Sequence, residues 1–537
     1  MPPPGRLQQS FPSRQYSHGR ARPAGLVARP PLGPGVYRFV LGRDAAPVLL
    51  GAAAADRPRD PFATFVLFGG GPLPKSLRAL QAALDALAGR PLPVERTFVV
   101  ADGGQIPWTS ETDALQRNFR LVVTRQGAAA PEPDLLISAS TDLDSDSAFL
   151  QVVGWDESAG AYQFYDRREE SWIWAGSSWD ALAPGSRGHG PFDSHVNGAL
   201  NMKELKRPWV HWHSQAAQMS DAVLAPGDPL RAERLWIDRR QADEFERAVA
   251  RPGIQRWTAA RVARSIRDGT LTRLPEFMRQ VLETTTVNLA SSPTSYPALA
   301  AAARVPLPLT FFINADALLN VLDLDPGVAP PSVDAAIYRD ALRHFQVGLT
   351  DGRFRFDGDT HFLFVVPEPA YEDVYLLERL VAAQVLSRKL AACLLMVDFC
   401  NPVFSSRRRD LMRHVPADAT PGAAAQFDEV FIGAVRAAHD AGTGGPAEAE
   451  LLGNWDTPDP VWPQEFEARI RTFMAAVAGS LDDPGRFLRV FELAESRRRE
   501  FRTRPLAEFR LTTPVTNIPE DAPLLEFAVD GRLQEKS

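Results

Sequence analysis

The chain is short of cysteine, lysine and long apolar runs, and each shortage removes a class of protein. Its 537 residues include two cysteines, Cys393 and Cys400. Two cysteines cannot build a disulfide framework, and no Cys-x-x-Cys or zinc-finger spacing exists, so a reducing cytoplasm is the expected compartment. The longest strongly apolar run, LAACLLMV at 390–397, falls far short of a membrane span. Lysine occurs five times among 59 basic residues. Nearly all positive charge is therefore arginine, which, beside abundant alanine and proline, reads as the coding bias of a GC-rich genome. The formal net charge of −7 argues against nucleic-acid and anionic-membrane binding. Also missing are H-E-x-x-H, G-x-S-x-G, C-x-x-C-H and a G-x-G-x-x-G after a strand. Standard zinc proteases, α/β-hydrolases, c-type haem proteins and dinucleotide enzymes lose weight accordingly.

What remains is ordinary for a globular protein, with 45% hydrophobic and 23% charged residues. The length asks for about two to four domains. Residues 1–35 are rich in proline, glycine, serine and arginine and carry no acid. They read as a disordered tail, because the prolines break any amphipathic targeting helix. Residues 36–190 read as a strand-rich α/β region, with strands at 36–42, 62–68, 96–101, 119–124 and 134–140. A helix is expected over 76–89, and a meander over 149–174 turning at WDESAGA. Residues 191–330 hold a histidine block and a helical region, with a loop at 288–296 and a strand or strand-helix at 309–322. Residues 331–537 read as mainly helical, over 331–345, 371–397, 423–440 and 463–501, with a hairpin near 353–367 and a loop at 442–450. The predicted fold is α+β, a strand-rich N-terminal region packed on a mainly helical C-terminal half.

Three of the nine histidines, His195, His211 and His213, fall in FDSHVNGALNMKELKRPWVHWHS, residues 192–214. Pro208 should end the preceding helix near Arg207, which leaves VHWH free to extend. In an extended chain His211 and His213 share a face and can supply two imidazoles to one ion. His195 can return along the helix as a third ligand. Asp193 shares its face as a ligand or an acceptor that orients an imidazole. Glu204 is the other carboxylate of the block, and Trp209 and Trp212 would wall the cavity. A divalent metal is the expected cofactor, with iron, copper and zinc all compatible with imidazole. The leading expectation is a metal-dependent enzyme acting on a small-molecule substrate, an oxidoreductase ahead of a hydrolase. The alternative is a binding or assembly protein in which the same block is a packed junction.

Other stretches supply further candidates. His361, with Asp357 and Asp359 in FDGDTHF, is a possible distant ligand or catalytic group. Cys400, in VDFCNPVFSSRRRD, is the candidate nucleophile of a metal-free hydrolase, with His414 as a base. Arg407 and Arg408 suit a substrate carboxylate or phosphate. FGGGPLPKS at 68–76 sits where a phosphate loop would, but Pro72 and Pro74 remove amides such a loop needs. SRRRE at 496–500 reads as a charged helix face.

Overall fold

The structure is a computed structural model. It describes residues 32–51, 53–87, 94–102, 108–110, 113, 118–127, 132–193, 195–200, 221–240, 242–290, 303–351, 354–357, 366–503 and 515–536. The fold is α+β, with a large sheet in the N-terminal half and mostly helices in the C-terminal half. The chain divides into two compact units. One comprises residues 1–103, 107–202 and 218–253, the other 104–106, 203–217 and 254–537. No helix among the described residues is long and apolar enough to cross a membrane.

The first unit is built on a nine-stranded sheet in the order β2-β1-β8-β7-β6-β5-β4-β3-β9. Six consecutive strands form an antiparallel meander: β3 (Val94–Asp102), β4 (Asn118–Gln126), β5 (Leu135–Ser140), β6 (Leu150–Asp156), β7 (Ala161–Arg168) and β8 (Ser171–Ser177). The expected turn at WDESAGA is present, with Asp156 paired to Ala161. β1 (Gly35–Arg38) lies parallel to β8, β2 (Val48–Leu49) pairs antiparallel to β1, and β9 (Arg239–Arg240) closes the far edge parallel to β3.

The expected strand at 62–68 is instead a helical turn, Phe62–Leu67. Its aromatic and β-branched content suits a strand, but Asp60 and Pro61 overrule it. The Asp60 carboxylate accepts from the amides of Phe62 (2.9 Å) and Ala63 (3.2 Å). Pro61 supplies a first-turn φ near −60°. The turn lays Phe62 edge-on against Tyr165 and Trp172, with ring centroids 5.1 and 4.7 Å away. Tyr165 and Trp172 are buried in this way on one face of β7 and β8. The other face packs Phe164 against Phe192 at 5.4 Å. Helix α1 (Leu77–Asp85) follows, capped by the Ser76 hydroxyl on the Ala79 amide.

The second unit is a helical body around one large apolar cluster. The single helix expected over 371–397 is two, Tyr371–Ala382 and Arg388–Met396. Gln384 takes a left-handed φ of 50°, and Ser387 caps the second helix. The helix expected over 463–501 is likewise split, into Trp462–Leu481 and Pro484–Thr503, with the latter's first residue a proline. The loop expected at 442–450 contains a helix start instead. Pro446 opens Pro446–Trp455, and Glu448 accepts from the Gly445 amide, the one half of a capping box that a glycine N-cap allows. Residues 309–322 form two short helical turns, not a strand. The hairpin near 353–367 is displaced: Gly348–Asp351 pairs with Phe354–Asp357, and Val366–Pro369 pairs with Val287–Ala290.

The stretch SRRRE is not a solvated face. Ser496, Arg497, Arg498, Arg499 and Glu500 are all buried. Arg497 lies over the Phe311 ring and donates to the Phe311 carbonyl. Arg499 donates to the carbonyls of Glu520, Ala522 and Pro523. The guanidiniums serve as pegs that satisfy backbone carbonyls of irregular segments, which would otherwise be buried without donors.

Candidate functional site

Of the histidine block, Glu204, Trp209, His211, Trp212 and His213 lie outside the described residues, as does His361. Asp193 ends a 3-10 turn, Gly190–Asp193, and its side chain is outside the described set. His195 is buried, its ring 5.1 Å from that of Phe164. Its Nδ1 lies 3.0 Å from the Ala199 carbonyl oxygen. A carbonyl only accepts, so Nδ1 carries the proton and the lone pair of the neutral ring sits on Nε2. Among the described residues no three histidine, cysteine, aspartate or glutamate side chains gather as a metal site.

Cys400 has the wrong surroundings for a nucleophile. Its side chain is buried, and Sγ donates to the Phe527 carbonyl at 3.3 Å. Burial, aided by the nearby Asp398 charge, pushes the thiol up to about 12. A nucleophilic thiol needs the reverse. Nor does His414 serve it: its Nε2 is 2.9 Å from Glu448. Burial alone would raise the Glu448 carboxyl, but hydrogen bonds from His414, the Gly445 amide and Arg413 outweigh it and hold the group at about 2. Arg408 is spent on the carbonyls of Val397, Asp398, Asn401 and Pro402. Arg407 pairs with Glu450 at 3.5 Å. In the 68–76 stretch, Ser76 is a cap and Lys75 pairs with Glu170 at 2.7 Å, and the element before it is helical, unlike that of a phosphate loop.

The first unit carries an open cleft of about 380 Å³. Its floor is Gln163 of β7 with Trp174 and Ser177 of β8. Regular alternation would put residues three apart on opposite faces. A β-bulge corrects this: Phe164 pairs with Gly176 but Tyr165 with Trp174, so Ala175 is the extra residue. Gly176 takes φ +115° there. Trp174 Nε1 donates to Gln163 Oε1 at 3.0 Å, which fixes the indole. One wall is the segment 55–59, and the other is Arg38 and Arg43.

Four arginines line the cleft, Arg38, Arg43, Arg57 and Arg59, with three aspartates, Asp56, Asp156 and Asp180. Two of the acids are consumed by the architecture. Asp156 accepts from Ser158 Oγ (2.7 Å) and from the amides of Ala159 (3.0 Å) and Arg59 (2.8 Å). Asp180 Oδ2 accepts from the amide and hydroxyl of Ser177, both at 2.8 Å, capping helix α2 (Ser178–Leu182), while its Oδ1 pairs with Arg43. Arg57 lies over the Phe68 ring at 5.5 Å. The Arg59 side chain is exposed and makes no hydrogen bond or ion pair among the described residues.

Beneath the 55–59 wall lies Asp60, fully buried. It is hydrogen-bonded to Tyr165 Oη, and Gly154 of β6 faces it with no space for a Cβ. Burial pushes this carboxyl up to about 7, against the lowering effect of the Tyr165, Ala63 and Phe62 hydrogen bonds, and the Asp156 charge adds to the rise. None of these residues carries a motif. The only local signal is DRPRDP, residues 56–61, where charges alternate with prolines. No protein-family model, curated protein or solved structure matches the chain.

Proposed function

We propose that this chain binds a small organic anion in the arginine-lined cleft of its first unit. The observation that carries the reading is the exposed Arg59 side chain, which has no hydrogen-bond or ion-pair partner among the described residues, in the same cleft as Arg38, whose ion pair with Asp56 is exposed. Asp156 and Asp180 hold local amide and hydroxyl donors, and Arg43 is paired with Asp180. Guanidiniums present planar, paired N–H groups that match carboxylate and phosphate oxygens. The volume suits a metabolite-sized molecule. A panel of organic mono- and dianions measured by thermal shift tests this. At least one should raise the melting midpoint of the wild type and lose that effect in Arg38→Gln and in Arg59→Ala. A panel that shifts the wild type and both variants equally would remove the cleft from consideration.

A second reading is a metal-dependent enzyme, an oxidoreductase ahead of a hydrolase, with His195, His211 and His213 around iron, copper or zinc. One observation favours it. The Nδ1 contact of His195 to a backbone carbonyl selects the tautomer in which Nε2 is the basic nitrogen, as in ligating histidines. Elemental analysis of the purified protein and of a folded His211→Ala/His213→Ala variant decides it. Near-stoichiometric metal lost in the variant supports the reading, and equal metal content in both rejects it.

A further inference from the structure

Arg38 is held by two carboxylates and an indole, and these partners bear on what its guanidinium can bind. One edge of its guanidinium, Nε and Nη2, faces Asp44 at 3.3 and 3.4 Å. Asp44 is itself held by the Val40 amide at 2.8 Å. The guanidinium lies over the Trp174 ring, 5.7 Å from its centroid, as the register pairing of Arg38 with Trp174 requires. The Nη2 hydrogen bond to Asp44 and the Trp174 ring thus orient the guanidinium, although Nε itself makes no hydrogen bond, so less rotational freedom is lost when Nη1 binds something else. What Nη1 holds is Asp56, at 3.2 Å.

Asp56 differs from the other acids of the cleft. Its side chain is 56% exposed, and Arg38 is its one hydrogen-bond partner among the described residues. Such an exposed ion pair contributes little to stability. A ligand carboxylate can take the same place at small cost. We infer that Asp56 is a tethered stand-in for the ligand, and that the ligand is an organic acid whose carboxylate displaces Asp56 from Arg38. Asp56 is then a specificity-determining residue: it screens out weakly held anions, and its own chemistry marks the seat as one for a planar carboxylate. The exposed guanidinium of Arg59 supplies a second anchor for a ligand with two acidic ends. The inference rests on the cleft being an anion site, as proposed above.

The test is calorimetric titration of glutarate, with inorganic phosphate as a second arm, into the wild type, Asp56→Asn and Asp56→Ala. Asp56 is exposed, so both variants should keep the wild-type circular dichroism and melting midpoint. Removing the tethered competitor should tighten glutarate by about two- to fivefold, the affinity equivalent of one exposed ion pair. Equal glutarate affinity in all three proteins overturns the role of Asp56 and leaves the anion cleft standing. Phosphate gaining more than glutarate in the variants overturns the carboxylate assignment. No binding of either anion to any of the three overturns both the inference and the reading beneath it.

Discussion

Replacing Asp60 with asparagine should remove one component of the pH dependence of the first unit's stability, the loss between pH 5 and pH 8. Asp60 is fully buried, and its carboxyl is raised from 3.8 to about 7. The folded state therefore holds the proton more tightly than the unfolded chain does. The contribution of this group to stability is complete below pH 3.8, falls as pH rises to about 7, and is level above that. At about 1.4 kcal/mol per unit, the full loss is about 4 kcal/mol, of which about 2–3 kcal/mol falls between pH 5 and pH 8. Asparagine keeps an oxygen for the Phe62 and Ala63 amides and a polar group opposite Tyr165, and it never ionises. Urea unfolding read by hydrogen-exchange mass spectrometry of the 150–168 segment isolates this unit from the other. Wild-type stability should fall across pH 5–8 relative to Asp60→Asn, and the variant should equal or exceed the wild type at pH 8. Parallel profiles for the two proteins would refute the reasoning, since every other titrating group is common to both.

Gly154→Ala would place a methyl 2.2 Å from the Asp60 Oδ1, and should destabilise the same segment by about 1–3 kcal/mol in that assay. Glu448→Gln should cost about 1–3 kcal/mol at pH 7, by thermal or urea unfolding, through the weakened bonds to His414 and Arg413. Because the Glu448 carboxyl is held at about 2, the wild-type advantage should be in place above pH 4.5 and fade as pH falls towards 2. Iodoacetamide should label neither Cys393 nor Cys400 in the native protein, both thiols being buried and pushed up to about 12, and both after denaturation; selective native labelling of Cys400 would contradict the structure. Arg408→Met should strand four carbonyl acceptors and lower stability by about 3–5 kcal/mol.

The parts of the fold legible in the sequence are those in which neighbours in sequence are neighbours in space. The meander from β3 to β8 is of this kind, as is the helix behind the Ser76 cap. Misreadings arose where one capping residue outweighed the composition of the element. Asp60-Pro61 turns an aromatic, β-branched heptamer into a helical turn. Ser387 splits an apolar run into two helices, and Gly445-Pro446 starts a helix inside a stretch that looks like a linker. The SRRRE stretch has the composition of a surface, yet its arginines meet carbonyls of Phe311 and of residues 520–523, far away in the chain. The cleft was invisible for the same reason. Arg38, Asp56, Asp156, Trp174 and Asp180 come from four separate stretches, and each is unremarkable alone. Histidine density is a local signal, whereas the pairing of β1 with β8 brings Arg38 to Trp174 from a distant part of the chain.

The parallel pairing of β1 with β8 has a consequence during synthesis. Gly35 pairs with Ser171 and Arg38 with Trp174, 136 residues further along. At about 5–20 residues per second, a ribosome takes on the order of 7–27 s to cover that distance. The strands β3 to β8 can zip up as each emerges, since every one pairs with its predecessor. β1 leaves the ribosome first and meets β8 only after the strands between them have been made, and it alone carries Arg38 to the indole of Trp174. The cleft therefore assembles only once β8 has emerged, with β9 the one strand of the sheet still to come, and a nascent chain halted before β8 would have much of its meander but not the cleft.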